Sequence, residues 1–267
     1  MSEPLAVIRA SAWPDLFDCA YRFYWKQIVG LKKPSSPAAY LGTSIHAGAA
    51  AFDQARMIGK PIKPDDAAGV SLDKLNNPEE EVLWDEDLTK RDAQQYAVGL
   101  TAKYCGEVAP KREYRAVELL CEALDIATEH GVVRVTGTTD RVRSLPDGRE
   151  GISDLKSGAH AVGTDGRAVT KGHHLQLGIY QLMAEQATGI TMTAPAEVIG
   201  LQTSSKGRVG TGEVGDVKTP LLGTPDQPGL IQHAAAMLKS GLFPPNAKSM
   251  LCSEKYCPAY SRCIYHD

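Results

Sequence analysis

The sequence predicts a mixed α/β (α+β) fold: a central mixed sheet flanked by helices, with helical additions before it and a cysteine-bearing tail after it. Three observations carry this. Runs near Tyr114–Cys121, Val132–Val142 and Gly151–Lys156 read as strands, the second with the alternation of a half-buried one. Leu175, Ile179, Leu182 and Met183 then recur at helical spacing, and Glu197–Thr203 follows as a further strand. At 267 residues the chain can bury a sizeable core as a single domain, residues 1–267, and it has no internal repeat or low-complexity tract.

Residues 11–57 form the helical N-terminal part. A first helix runs from Ser11 or Trp13 to about Val29, with Pro14 tolerated in its first turn. Lys32–Pro37 is a loop, and a second helix runs from Ala38 to about Met57. Pro61–Glu81, rich in Pro, Asp and Asn, reads as a loop and as a mobile insertion. Lys90 to about Cys105 is helical. The core occupies 110–205, where the Pro146-Asp147-Gly148 turn joins two of the strands. Residues 228–267 supply a helix at about Leu230–Lys239 and the cysteine tail.

The chemistry concentrates in the core. Residues two apart in a strand share a face, so Asp154 and Lys156 point the same way. Asp140 closes the preceding strand, near enough to share one ion with Asp154. Two carboxylates suit a hard divalent cation, and a lysine beside them can orient and help deprotonate an attacking water. A solvated surface hairpin is the plainer reading, but Asp154 lies in an apolar-leaning run where an unpaired carboxylate is expensive. Gln176 and Tyr180, four apart, are neighbours on the following helix. No GxxxxGK[ST] loop occurs, so no P-loop motor is encoded.

The order Gly137-x-x-Asp140, Asp154-x-Lys156-x-Gly158, Gln176-x-x-x-Tyr180 resembles the PD-(D/E)XK nucleases, and within them the RecB-like branch. Helix, three strands, helix, strand is also the element order of their restriction-endonuclease-like core. The segment Leu41–Gly48 resembles the family's helix that brings a metal-ligating histidine, here His46. The resemblance implies that His46, Asp140 and Asp154, with the Leu155 carbonyl, hold one or two Mg²⁺ or Mn²⁺ ions. It gives Lys156 the nucleophilic water, Gln176 an orienting role, and Tyr180 support of that helix face. Some members place an acid upstream; Glu118 is the candidate, but it reads as a strand residue facing solvent.

Six cysteines in a chain that reads as intracellular do not make a disulfide scaffold. Cys252, Cys257 and Cys263 crowd the C-terminus, and Cys19 lies far from them in sequence. One N-terminal and three C-terminal cysteines resemble the iron–sulfur staple of the RecB-like nucleases. Four thiolates suit a [4Fe–4S] cluster or structural Zn²⁺, and spacing does not choose between them. Cys105 and Cys121 read as small core residues.

No apolar run reaches membrane-spanning length, and no basic-then-apolar signal opens the chain. The expectation is a soluble cytoplasmic protein, in the host cytoplasm if phage-encoded, without a membrane partner. A net charge of −3 argues weakly against a DNA partner, so binding requires a local basic groove. Arg22, Lys26, Arg141, Arg143, Lys171, Lys206 and Arg208 are the candidates, the last two in the turn 204–208. The function expected from the resemblance is a DNA exonuclease of phage or mobile-element recombination and repair, working beside a single-strand-annealing recombinase or a separate helicase. The rival is a non-hydrolytic DNA-end-binding or recombinase-adaptor module of the same fold. A thiol redox or zinc protein would leave the Asp-Lys group unexplained.

Overall fold

Strand pairing in the computed structural model, which describes residues 3–204 and 206–266, centres on one long strand. In chain order the elements are β1 (Ala6–Arg9), α1 (Trp13–Asp18), α2 (Ala20–Phe23), α3 (Pro37–Met57), α4 (Pro64–Asn76), α5 (Lys90–Lys103), β2 (Glu113–Thr128) and β3 (Gly131–Ser144). They continue with β4 (Glu150–Gly158), α6 (His174–Thr188), β5 (Ala196–Gln202), β6 (Val209–Val214), α7 (Thr219–Leu222) and α8 (Leu230–Ser240).

The mixed sheet runs β1-β3-β4-β5-β6, with β2 paired to the other edge of β3. β1 lies parallel to β3 over Val133–Thr136, and β4 lies antiparallel to it over Arg141–Ser144. Because β2 fills one edge, β1 and β4 must share the other, and residues 137–140 between them have no strand partner there. After Ser153, β4 leaves β3 and continues in parallel beside β5 as far as Gly158. The sheet therefore parts at Asp140.

Alternation along β4 and β5 divides the core between two faces. Ile152 and Val198 join Trp13, Phe23, Val135, Ile179 and Ile231 in one apolar cluster, which packs α1, α6 and α8 against the sheet. Leu155, Ile199 and Leu201 join Leu41, Ile45, Leu75 and Leu100 in the other, which packs α3, α4 and α5. Each such side chain contributes about 1.5–3 kcal/mol by leaving water.

Two readings change, and two strands are added. Most of the segment 61–81 is a helix rather than a loop, because α4 buries Ala67, Ala68, Ser71 and Leu75. Its Pro and Asp residues are a helix start: Pro64 stands in the first turn, and the Lys63 N–H donates to Asp66 Oδ2 at 3.0 Å. The first helix is broken at Cys19, whose backbone is extended (φ −144°, ψ 98°), and it ends in a π-helical turn, Tyr24–Ile28. β1 is too short to announce itself. β6, with Gly210 and Gly212 in it, is a strand for which the sequence reading has no element; a Cβ on Gly210 would stand 2.5 Å from the Gly166 carbonyl oxygen. Ser205, in the turn carrying Lys206 and Arg208, lies outside the described residues. Among the described residues no helix is long and apolar enough to cross a membrane.

Gly48 lets α3 and α4 meet. A Cβ there would overlap Ser71 Oγ and stand 2.5 Å from the Ala67 carbonyl oxygen. Gly48→Val is expected to cost about 1–3 kcal/mol or more through overpacking. A lowered midpoint in urea checks this.

Candidate active site

β4 presents Asp154 and Lys156 to the face covered by α6. Lys156 Nζ lies 2.8 Å from Asp154 Oδ2 and donates to Gln176 Oε1 at 3.0 Å. Gln176 Nε2 in turn donates to the Tyr180 hydroxyl at 2.9 Å. Helical spacing of four residues makes that second bond possible and fixes the amide so that its oxygen faces the lysine.

At the parting of the sheet the backbone of β4 needs new partners. The Leu155 N–H donates to Asp140 Oδ2 at 3.0 Å, and the Leu155 carbonyl oxygen lies 2.8 Å from His46 Nε2. His46 Nδ1 is 3.3 Å from Asp140 Oδ2. His46 comes from α3, across the sheet from α6, so the site is assembled through the opening between β3 and β4.

Glu118 completes this group and overturns the reading that it faces solvent. It stands opposite Asp140 in the β2–β3 ladder, between the pairs Val117–Arg141 and Leu119–Thr139. Its φ is +51°, the one left-handed non-glycine backbone among the described residues. Such a residue costs about 1–3 kcal/mol and re-aims the side chain. Nothing in the sequence signals it. Its Oε1 is shut off from solvent without a hydrogen-bond partner. His46, Glu118 and Asp140 each offer one ligand atom, all within 4.8 Å of one another. Asp154 lies outside that set, held by Lys156.

The carboxyl groups are unequal. Burial raises Glu118, with Asp140 adding to the effect against His46 and Arg141. Burial likewise raises Asp154, opposed by Lys156. Burial also works against the Asp140 anion, yet His46, Arg141, Lys156 and the Leu155 N–H outweigh it and hold Asp140 below the usual range. An enclosed, partnerless carboxylate oxygen beside an imidazole and a second carboxylate is a donor set that fits a hard or borderline divalent cation.

Several expected DNA contacts are engaged inside the protein. Arg141 is fully buried against Asp53. Arg143 is buried between Glu197 and Glu213. Arg22 pairs with Asp15 and Asp18, and Arg208 donates to Gln202 Oε1. The guanidinium groups of Arg22, Arg141 and Arg143 offset carboxylates of the fold. Lys26 is exposed but paired with Asp15, while Lys171 and Lys206 are exposed. A groove of about 1020 Å³ contains Arg112, Arg143, Glu197 and Glu213 but none of the site residues.

The bend at Cys19 turns its sulfur into a small cavity that Cys252, Cys257 and Cys263 also line. None is disulfide-bonded, and Cys105 and Cys121 are buried in the two apolar clusters. Burial raises the Cys252 thiol, with the other three thiols adding to it. Burial raises Cys257 as well, against the N–H of Ala259 and the charge of Arg22. The tail is also docked without any sulfur: Arg22 donates to Ser249 Oγ at 3.0 Å and Ser249 to Asp18 Oδ2 at 2.5 Å. Asn246 Nδ2 donates to the Asp18 carbonyl at 2.9 Å.

The sequence matches the family described as the PD-(D/E)XK nuclease superfamily over residues 10–264. No curated protein matches it. Among solved structures, it resembles a "Putative exonuclease" from Eubacterium rectale, at TM-score 0.58 and 14% identity, covering 98% of this chain and 91% of that one. That likeness shows the fold. A structure named SSO0001 aligns at TM-score 0.43 and 12% identity, over 99% of this chain and 88% of that one.

Arg22→Met removes the buried cation that ties the half-buried Asp15 and Asp18 to Ser249. The expected cost is about 1.5–3 kcal/mol, that of lost hydrogen bonds to a charged group. Limited proteolysis should then cut first in the tail after Gly241.

Proposed function

Because the chain belongs to the PD-(D/E)XK nuclease superfamily, we propose that it is a metal-dependent deoxyribonuclease that hydrolyses DNA phosphodiester bonds. In this reading it is an exonuclease of phage or mobile-element recombination and repair. The observation that carries it is the group His46, Glu118 and Asp140 beside the Asp154–Lys156 pair, three carboxyl groups around one imidazole and one lysine. Enzymes of this superfamily use divalent metal ions, and the donor set suits one.

His46, Glu118 and Asp140, with Asp154 and the Leu155 carbonyl, would hold Mg²⁺ or Mn²⁺. A bound ion supplies positive charge to the phosphate oxygens and makes water a better nucleophile. Lys156, aimed by Gln176, orients that water and stabilises the charge that develops on phosphorus. Tyr180 fixes the Gln176 amide. Lys171 and Lys206 are exposed cations that can meet the DNA backbone. Unwinding belongs to a separate helicase, and strand annealing to a recombinase partner.

Cys19, Cys252, Cys257 and Cys263 are proposed to hold a [4Fe–4S] cluster, with structural Zn²⁺ as the alternative. The fit rests on four free thiols around one cavity and on the Arg22 charge, which offsets part of theirs. Protein purified without oxygen is expected to be brown and to contain iron and sulfide. Colourless protein with stoichiometric zinc would establish the alternative.

The activity test uses purified protein, Mn²⁺ and end-labelled linear or circular DNA. Linear DNA should be degraded from its ends and circular DNA spared. Asp154→Ala should abolish cleavage. Lys156→Ala should still bind Mn²⁺ but lose about 10²–10⁴-fold in rate, the usual contribution of a positioned proton-transfer group. Wild-type protein that binds Mn²⁺ and DNA ends without cutting would establish the adaptor instead.

A further inference from the structure

Arg141 and Asp53 are both fully enclosed, and the protein makes little attempt to satisfy them conventionally. Arg141 Nε donates to Asp53 Oδ2 at 2.8 Å. Both terminal guanidinium nitrogens have no hydrogen-bond partner, nor does Asp53 Oδ1, which has only the Arg56 guanidinium at 4.0 Å. Two aromatic rings serve instead: the guanidinium carbon lies 5.3 Å from the Tyr104 ring centre and 5.7 Å from that of Tyr114. The Tyr104 hydroxyl donates to the same Asp53 oxygen at 2.5 Å. A buried pair of this kind is weak as a stabiliser, and an apolar pair of similar volume often serves as well.

Its place in the fold suggests another use. Asp53 lies seven residues after His46 on α3, two turns along the same face and about 10 Å away. Arg141 follows Asp140 directly on β3. Helix and strand are thus joined twice, at His46–Asp140 and at Asp53–Arg141. The second joint fixes how far α3 slides and rolls along β3, and the first inherits that setting.

We propose that the Asp53–Arg141 pair, braced by Tyr104 and Tyr114, is a positioning device that sets His46 against Asp140 and so sets the site's affinity for its ion. This rests on the reading of His46, Glu118 and Asp140 as an ion-binding group. Neither Asp53 nor Arg141 touches the ion.

Calorimetric Mn²⁺ titration of the full chain, with thermal melting in chelator as the control for folding, tests it. Asp53→Asn should weaken Mn²⁺ binding about 10–100-fold, the usual effect of altering a residue that orients a ligand. In a His46→Ala background the same change should have no further effect, since the ligand it positions is gone. Where Asp53→Asn does not fold, Asp53→Leu with Arg141→Met keeps the packing, and the same coupling to His46 is expected. Equal losses with and without His46, or unchanged Mn²⁺ affinity in a folded variant, would overturn the proposal. A wild-type protein that binds Mn²⁺ but leaves DNA intact refutes the nuclease reading alone, because the coupling is measured on binding. One that binds no Mn²⁺ refutes both.

Discussion

Beyond Ser153 the backbone of β4 has no strand on its β3 side, and the Leu155 N–H donates to Asp140 Oδ2 instead. That one bond lets a sheet open without leaving a donor stranded in the interior, where an unmade hydrogen bond costs about 1–3 kcal/mol. The opening gives α3 access to the sheet plane, so His46 reaches both Asp140 and the Leu155 carbonyl. Lys156, one residue beyond Leu155, emerges on the opposite face toward α6. Two helices from opposite sides of the sheet thereby serve one site.

The charges around this opening are arranged in tension. Glu118, Asp140 and Asp154 stand close enough to influence one another, and Asp140 alone is held readily ionised. Lys156 pairs with Asp154, while Arg141 points into the other layer toward Asp53. The strained backbone of Glu118 adds to the tension and brings a third donor to the group. Strain and a partnerless carboxylate oxygen at one place are what a site keeps for an ion rather than for stability.

Periodicity made most of the architecture legible, because strands and helices that bury one face must repeat at two or 3.6 residues. Asp154 with Lys156, and Gln176 with Tyr180, were within reach for that reason: each pair is local to a strand or a helix turn. Glu118 was not, because its orientation comes from one left-handed residue that any strand sequence could conceal. The buried state of Arg141 was equally hidden, since its partner Asp53 lies 88 positions away on a helix whose docking no local pattern specifies. In α4, compositional cues for a loop lost to four small or apolar residues spaced for burial.

His46, Glu118 and Asp140 are proposed as one ion site at the parting of the sheet. Anomalous diffraction from crystals grown with Mn²⁺ tests that most directly. A single strong peak coordinated by the His46 imidazole and the carboxylates of Glu118 and Asp140 is the predicted result. A peak elsewhere, with His46 still against the Leu155 carbonyl and Glu118 unligated, would contradict it.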